Sequence, residues 1–183
     1  MFQNQLIEKC KQNNRQAQMQ LYNQYCQGMY VVAKRFVKHD AEAEDVVQDA
    51  FIKAFSKLHQ YQAEVTFGAW LKRIVINTSI DALKSKNQYL VELDEVHLKV
   101  VDASDEDNWL VDDASTLETI KEAINTLSEK YRYVVQLYLI DGYDHQEISE
   151  ILEISEVASR TQLYRGKLKL QELLKQTKDA TRY

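Results

Sequence analysis

The sequence contains no proline and only four glycines among 183 residues: Gly28, Gly68, Gly142 and Gly166. Hairpin-rich sheet proteins need turn residues that tolerate positive φ, and this chain has almost none. Collagen-like, proline-rich and Gly/Ser-linker compositions are excluded with them. Cysteine is scarce: Cys10 and Cys26 make no CxxC pair, and one bridge is no disulfide scaffold. No apolar run approaches the roughly 18 residues of a membrane span. Met1 to Asn14 is polar and lacks the apolar centre of a secretion signal. These absences predict an all-α protein of a reducing compartment, the cytoplasm, with no direct membrane insertion. What is present suffices for a core: 45% of the residues are apolar, in a length that suits one medium domain or two small ones.

The net charge of −5 argues weakly against a nucleic-acid partner, but its distribution matters more. Between Asn87 and Glu118 lie ten acids and a single base, Lys99. Outside that stretch 22 bases face 18 acids, and the last 30 residues hold seven bases against three acids. An acidic middle therefore separates two more basic parts. It also loses helical periodicity. Val96, Leu98 and Val100 alternate with His97 and Lys99, which allows a short extended segment, and Trp109 stands as a lone bulky anchor. The expected division is a domain over 1–86, an acidic linker over 87–114 and a second domain over 115–183.

Apolar spacing predicts helices in both parts. Leu6, Cys10, Ala17, Leu21 and Tyr25 fall roughly on one stripe, and a further helix is expected from Met29 to Lys38. Asp40 can cap a helix whose stripe is Ala43, Val46, Val47, Ala50, Phe51, Ala54 and Leu58. Thr66 can cap the next, with Phe67, Trp70, Leu71, Ile74, Val75, Thr78 and Ala82 on its apolar side. Lys72, Arg73, Asn77, Lys84 and Lys86 fall largely off that side. The last part reads as four helices over about 115–176. Ser128 caps the second of them and Gly142 stops it. Asp144, with Glu147 three residues on, forms a capping box for a short third helix. Ser155 caps a longer fourth.

Two helices joined by a short turn, the second basic, describe a helix-turn-helix. On the second helix Leu163, Gly166, Leu170, Leu173 and Leu174 fall on the core side. Arg160, Thr161, Tyr164 and Arg165 fall on the other, where they can enter a major groove, with Lys167 and Lys169 nearer phosphates. The same pattern also describes a solvated face of a helix bundle, and charge alone does not separate the two. Other chemistry finds no support. His39, His59, His97 and His145 show no metal-ligand spacing with one another or with the cysteines, and there is no Gly-rich phosphate loop or GxSxG. No metal, cofactor or small-molecule substrate is expected.

Two longer motifs carry a resemblance. Leu127-Ser128-Glu129-Lys130-Tyr131-Arg132, Gly142-Tyr143, Glu147 to Leu152, Ile154-Ser155 and Ser159 to Arg165 resemble the promoter-reading C-terminal domain of bacterial sigma factors. Ala43-Glu44-Asp45-Val46-Val47-Gln48-Asp49-Ala50-Phe51-Ile52-Lys53-Ala54-Phe55 is similar to the sigma helix that docks on the polymerase clamp. Phe67, Ala69-Trp70-Leu71, Arg73-Ile74, Asn77 and Ile80-Asp81 resemble the adjoining helix that handles the −10 element. Both motifs occur in family order and cover nearly everything except the acidic stretch. The chain thus resembles the extracytoplasmic-function (ECF) group of the sigma-70 family.

The resemblance implies a non-enzymatic initiation factor that brings core RNA polymerase to promoter DNA and helps open it. It implies polymerase docking by Asp45, Gln48, Asp49 and Phe51. It implies −10 contacts from His59, Gln60, Tyr61, Gln62, Trp70, Lys72, Arg73 and Asn77. It implies −35 contacts from Arg160, Thr161, Tyr164, Arg165 and Lys169, and an anti-sigma partner.

The residue chemistry suits those roles. Asp45, Gln48 and Asp49 share one helical face by their i, i+3, i+4 spacing, which suits a basic partner. The run His59 to Val65 is rich in groups that hydrogen-bond or stack on an unstacked base. Trp70 and Phe67 fit either the core or a melting wedge. Departures from the family pattern fall at Glu153, where glycine is frequent in the helix-turn-helix turn, at Ser128 in place of proline, and at Gln162 in place of arginine. A helix-turn-helix regulator without sigma activity and a helical protein-interaction module remain the alternatives.

Overall fold

A computed structural model describes residues 2–86 and 116–180, and all the regular elements in these stretches are helical. The acidic stretch 87–114, with its expected extended segment and Trp109, lies outside the described residues. The chain divides into two compact units, Met1–Leu93 and Asp94–Tyr183.

The first unit holds four α-helices: α1 (Phe2–Lys11), α2 (Arg15–Ala33), α3 (Asp40–Ser56) and α4 (Phe67–Lys86), with a single 3₁₀ turn at Leu58–Gln60 between the last two. The expected N-terminal stripe is broken in the middle. Asn13 takes φ 60° and Asn14 starts α2, its side chain accepting the Ala17 N–H at 3.0 Å. An Asn pair supplies both a left-handed residue and an N-cap, so the chain turns without glycine. The helix expected at Met29–Lys38 is instead the end of α2, which runs unbroken from Arg15 to Ala33.

Asp40 also corrects its expectation. His39 is the cap position, and Asp40 begins α3 with its carboxylate 2.7 Å from Lys34 Nζ and accepting the Tyr30 hydroxyl at 2.9 Å. This contact joins the end of α2 to the start of α3. Thr66 caps α4 as expected, accepting the Ala69 N–H at 3.2 Å.

The core of this unit is the meeting of α2, α3 and α4. Leu21, Phe36, Ala43, Ala50, Ala54, Leu58, Phe67, Leu71 and Val75 are all buried. Each large side chain among them removes enough apolar surface to contribute ~1.5–3 kcal/mol. Ile76, Ser79 and Ile80 join the stripe of α4 on the inside, which widens it beyond the one-sided expectation.

The second unit holds α5 (Leu117–Thr126), α6 (Glu129–Val135), α7 (His145–Leu152) and α8 (Glu156–Ala180). A π-helical turn, Gln136–Ile140, continues α6, with Asp141 N–H reaching Gln136 C=O at 3.0 Å. Thr116 caps α5. Ser128 occupies the cap position of α6, but its side chain makes no capping bond, which corrects that expectation. Gly142, at φ 76°, ends this segment. Helix α6 crosses α8 at Gly166, where an added Cβ would meet Val135 Cγ2 at 2.6 Å and Tyr131 Cβ at 3.4 Å. Only a residue without Cβ lets the two backbones approach that closely. Val134, Val135, Leu137, Ile148, Leu163 and Leu170 fill the centre of this unit.

Candidate nucleic-acid and partner interfaces

The helix-turn-helix is built by local bonds. Asp144 accepts the Glu147 N–H at 2.8 Å, and Glu147 Oε2 accepts the Asp144 N–H at 3.2 Å, closing the capping box of α7. Glu153 ends α7 in the left-handed region, φ 57° and ψ 45°. Its own N–H and that of Ile154 both reach Ser149 C=O. The turn is therefore made without the glycine that usually serves such a position. Ser155 then starts α8, its hydroxyl accepting the Ala158 N–H at 3.1 Å.

A buried contact missing from the sequence reading fixes one helix on the other. His145 Nδ1 lies 2.8 Å from Ser159 Oγ, and the imidazole stacks on Tyr138 at 4.9 Å. Both His145 and Ser159 are buried. The pair ties the start of α7 to the first turn of α8. Its only sequence signal is that both are polar residues at core-facing positions of amphipathic helices.

On α8 the expected reading face is brought together only in part. Arg165 and Lys169 are exposed, and Arg160 and Tyr164 are partly so. Thr161 corrects its expectation: it is buried, and its hydroxyl donates to Val157 C=O at 2.8 Å, folding the side chain back on the helix. Lys167 is buried as well, its ammonium 5.6 Å from the Tyr138 ring centre, and so does not project outward beside Lys169. Lys169 reaches across to α6, 5.1 Å from the Tyr131 ring, where Lys130 approaches the same ring at 5.2 Å. Arg160 lies 3.8 Å from Glu156 Oε2, one turn earlier.

In the first unit, Asp45, Gln48 and Asp49 are all exposed on α3, opposite the buried Ala43, Val46, Val47, Ala50 and Ala54. Phe51 does not belong with them. Its side chain is buried between Tyr22, at 4.7 Å between ring centres, and Phe55, at 5.9 Å, so it supports the helix from within. Ile52 was not in the expected set. It lies seven positions after Asp45, and thus on the same face, and is 67% exposed. The signal was legible as an isoleucine off the apolar stripe.

The connection before α4 is held by aromatic rings. The Tyr61 hydroxyl donates to Val65 C=O at 2.8 Å, closing the loop on itself. The Tyr61 ring lies 5.7 Å from Phe67 and 5.4 Å from Trp70, and Tyr25 backs Phe67 at 5.3 Å. Partial burial pushes the Tyr61 hydroxyl above its ordinary pKa, with Tyr25 adding to the effect. Ala63 takes φ 60° at the turn.

His59, Gln60 and Gln62 are exposed around this ring stack. Phe67 is core and Trp70 is partly exposed, which separates two residues that spacing left alike. Arg73 and Asn77, three and seven positions after Trp70, share its side of α4. Lys72 does not: it lies a rotation of about 100° from Arg73 and is partly buried. Among the described residues no group of three or more His, Cys, Asp or Glu side chains could hold a metal ion. No helix among them is long and apolar enough to cross a membrane.

A helical unit with an acidic face and an aromatic loop, followed by a helix-turn-helix unit, is the architecture of a transcription initiation factor. The family model described as Sigma-70 region 2 matches residues 21–89, and that described as Sigma-70, region 4 matches residues 117–170. The chain is 30% identical to the ECF RNA polymerase sigma factor SigW of Bacillus subtilis, over 92% of this chain and 95% of that protein. It is 27% identical to the ECF sigma factor SigE of Mycolicibacterium smegmatis, over 85% of this chain and 60% of that one. Among solved structures, the sigma factor RpoE of Bartonella quintana, determined with the anti-sigma factor NepR, shares the fold with a TM-score of 0.55. It has 23% identity, with 86% of this chain and 96% of that one covered. The chain belongs to the sigma-70 family, in its ECF group.

Proposed function

We propose that this protein acts in the cytoplasm as a sigma factor without catalytic activity of its own, the polymerase performing the chemistry. It binds core RNA polymerase, brings it to promoters with −35 and −10 elements, and assists strand opening. The observation that carries this reading is the presence, in that order, of its two matched regions, 21–89 and 117–170, on one chain. A regulator with a helix-turn-helix alone has no use for the first of them.

Within that reading, residues 1–86 dock polymerase and handle the −10 element, 115–183 handle the −35 element, and the acid-rich 87–114 joins them. Asp45, Gln48, Asp49 and Ile52 make the docking face, an acidic rim around one apolar side chain. His59, Gln60, Gln62 and Trp70 offer polar edges and an aromatic face to an unstacked −10 base, with Tyr61 bracing them. Arg73 and Asn77 follow the separated strand. Arg160, Tyr164, Arg165 and Lys169 meet the −35 duplex. An anti-sigma partner is part of the reading, supported by the fold shared with a sigma factor solved in such a complex.

The test is run-off transcription with purified chain and bacterial core polymerase. Core-dependent, promoter-specific transcripts are the expected result. DNA binding without any core-dependent initiation would return the protein to the class of ordinary helix-turn-helix regulators.

A further inference from the structure

The start of α8 carries side chains to which the family roles give no part. Ala158, Ser159 and Thr161 are buried, so the first two turns present little to a groove on those positions. Glu156 and Val157 are exposed, Val157 by 44%, and Arg160 keeps a 39% exposed side chain. With 3.6 residues per turn, Glu156, Val157, Arg160 and Tyr164 fall within about 100° of arc. They form one continuous face, and it lies at the end of the recognition helix that meets base edges in a helix-turn-helix.

The chemistry of that face is specific. Glu156 Oε2 is 3.8 Å from Arg160 Nη2, one turn apart. A carboxylate beside the guanidinium opposes a phosphate at the same place, because the like charge of the phosphate is repelled. Base edges suit the pair better. Guanine presents O6 and N7 as acceptors for arginine, and cytosine presents its N4 amino group as a donor for a carboxylate. Val157, beside them, has no hydrogen-bonding group at all. In the major groove its apolar surface has one complementary feature, the C5-methyl group of thymine.

We propose that Glu156 and Val157 are specificity-determining residues of the recognition helix. Val157 selects a thymine by its methyl group, and Glu156 commits Arg160 to a neighbouring G·C pair instead of to a phosphate. This inference rests on the sigma reading and adds a base preference to it.

The experiment uses holoenzyme assembled from the full chain and core polymerase. A duplex library randomised over the −35 region is selected for binding, and the selected sequence is then altered one atom group at a time. Replacing each thymine by deoxyuridine removes the methyl alone. At one position this change should weaken binding about three- to tenfold. Val157→Ala should weaken the thymine duplex by a similar factor and show no further loss with deoxyuridine. Val157→Thr, which keeps one methyl, should fall between them. Glu156→Gln should relax the preference at one G·C pair and steepen the salt dependence, as a repelling charge is removed.

Independent, multiplying losses from deoxyuridine and Val157→Ala would overturn the assignment, as would indifference to deoxyuridine at every position. The same assay separates this from failure of the parent reading. If the sigma reading is wrong, no −35 sequence is selected at all and Arg165→Ala changes nothing. If only this inference is wrong, a −35 sequence is selected and Arg165→Ala lowers binding, while the Val157 variants either match wild type or lose affinity equally for the thymine and deoxyuridine duplexes.

Discussion

Glu153 ends α7 at φ 57°, where a side chain with Cβ is strained by about 1–2 kcal/mol relative to the right-handed region. Glycine relieves that strain but loses more backbone freedom on folding, which takes back part of the gain. Glu153→Gly should therefore stabilise the second unit by about 0.5–1 kcal/mol, and Glu153→Val should destabilise it by at least as much, read from urea unfolding. A second prediction belongs to Asp40. Its hydrogen bond from Lys34, then that from Tyr30, hold its carboxyl below its ordinary pKa. A lowered folded pKa gives stability that is present above the unfolded value, near pH 4, and is lost as pH falls through the folded one. Asp40→Asn should thus unfold earlier than wild type at pH 7, and the two should converge toward pH 3. A gap that widens on acidification would refute the linkage. These residues also show what was legible. The capping box at Asp144 and Glu147 and the Thr66 cap follow from local side-chain chemistry, whereas the left-handed Glu153 was pointed to only by the resemblance, as a position where glycine is frequent. The cap assigned to Asp40 missed because its carboxylate has partners at and just past the end of α2, Tyr30 and Lys34, outside the reach of a local rule. Thr161 missed because a helical wheel gives direction only, whereas its hydroxyl turns back to its own helix.

At the scale of elements, the crossing of α6 and α8 depends on one glycine. A methyl at Gly166 would sit 2.6 Å from Val135 Cγ2, so the helices must separate or Val135 must move. Overpacking of this kind costs about 1–3 kcal/mol, and alanine's better helix propensity returns up to about 1. Gly166→Ala should lower the stability of the second unit by about 1–2 kcal/mol, measured by calorimetry, and Gly166→Val by more. A gain on Gly166→Ala would mean that Val135 yields freely and the crossing is loose. Sequence periodicity found α3, α4, α7 and α8 because each has one dominant apolar side. It did not find the break between α1 and α2, where the Asn13–Asn14 pair does in a polar context what Gly and Pro do elsewhere. Nor did it find the π-helical turn after α6. A π turn shifts the hydrogen-bond partner by one residue without any residue type that announces it. The wide buried side of α4 was hidden for a related reason: Ser79 is polar by composition yet lies in the core, beside Thr78, which the spacing had placed there. The Ser79 hydroxyl is satisfied by Val75 C=O at 2.8 Å.

At the scale of the whole molecule, the proposed function assigns a surface for protein and a surface for duplex DNA to different units. The sequence reads this division from charge: an acidic rim on α3, a basic α8, and ten acids between Asn87 and Glu118. What it could not read is which side chains on each surface are supports. Phe51 and Lys167 have the right residue types and positions but face inward. The division makes a separation of function testable on one chain. Asp45 and Asp49 are exposed, so replacing both with Lys changes charge without entering the core. That variant should keep its helical circular dichroism spectrum and lose at least about tenfold in affinity for core polymerase, where charge complementarity turns to repulsion. Arg165→Ala should do the opposite: full core affinity, with −35-dependent initiation reduced about five- to hundredfold if Arg165 reads a guanine. If it contacts a phosphate, binding to all sequences falls and the salt slope drops by about 1. Competition distinguishes the two variants directly. Added to a wild-type transcription reaction, the Arg165→Ala chain should occupy core polymerase and suppress the wild-type transcript. The double-Lys chain should leave that transcript unchanged at the same concentration. Suppression by both would remove Asp45 and Asp49 from docking, and suppression by neither would place docking and promoter contact on the same surface.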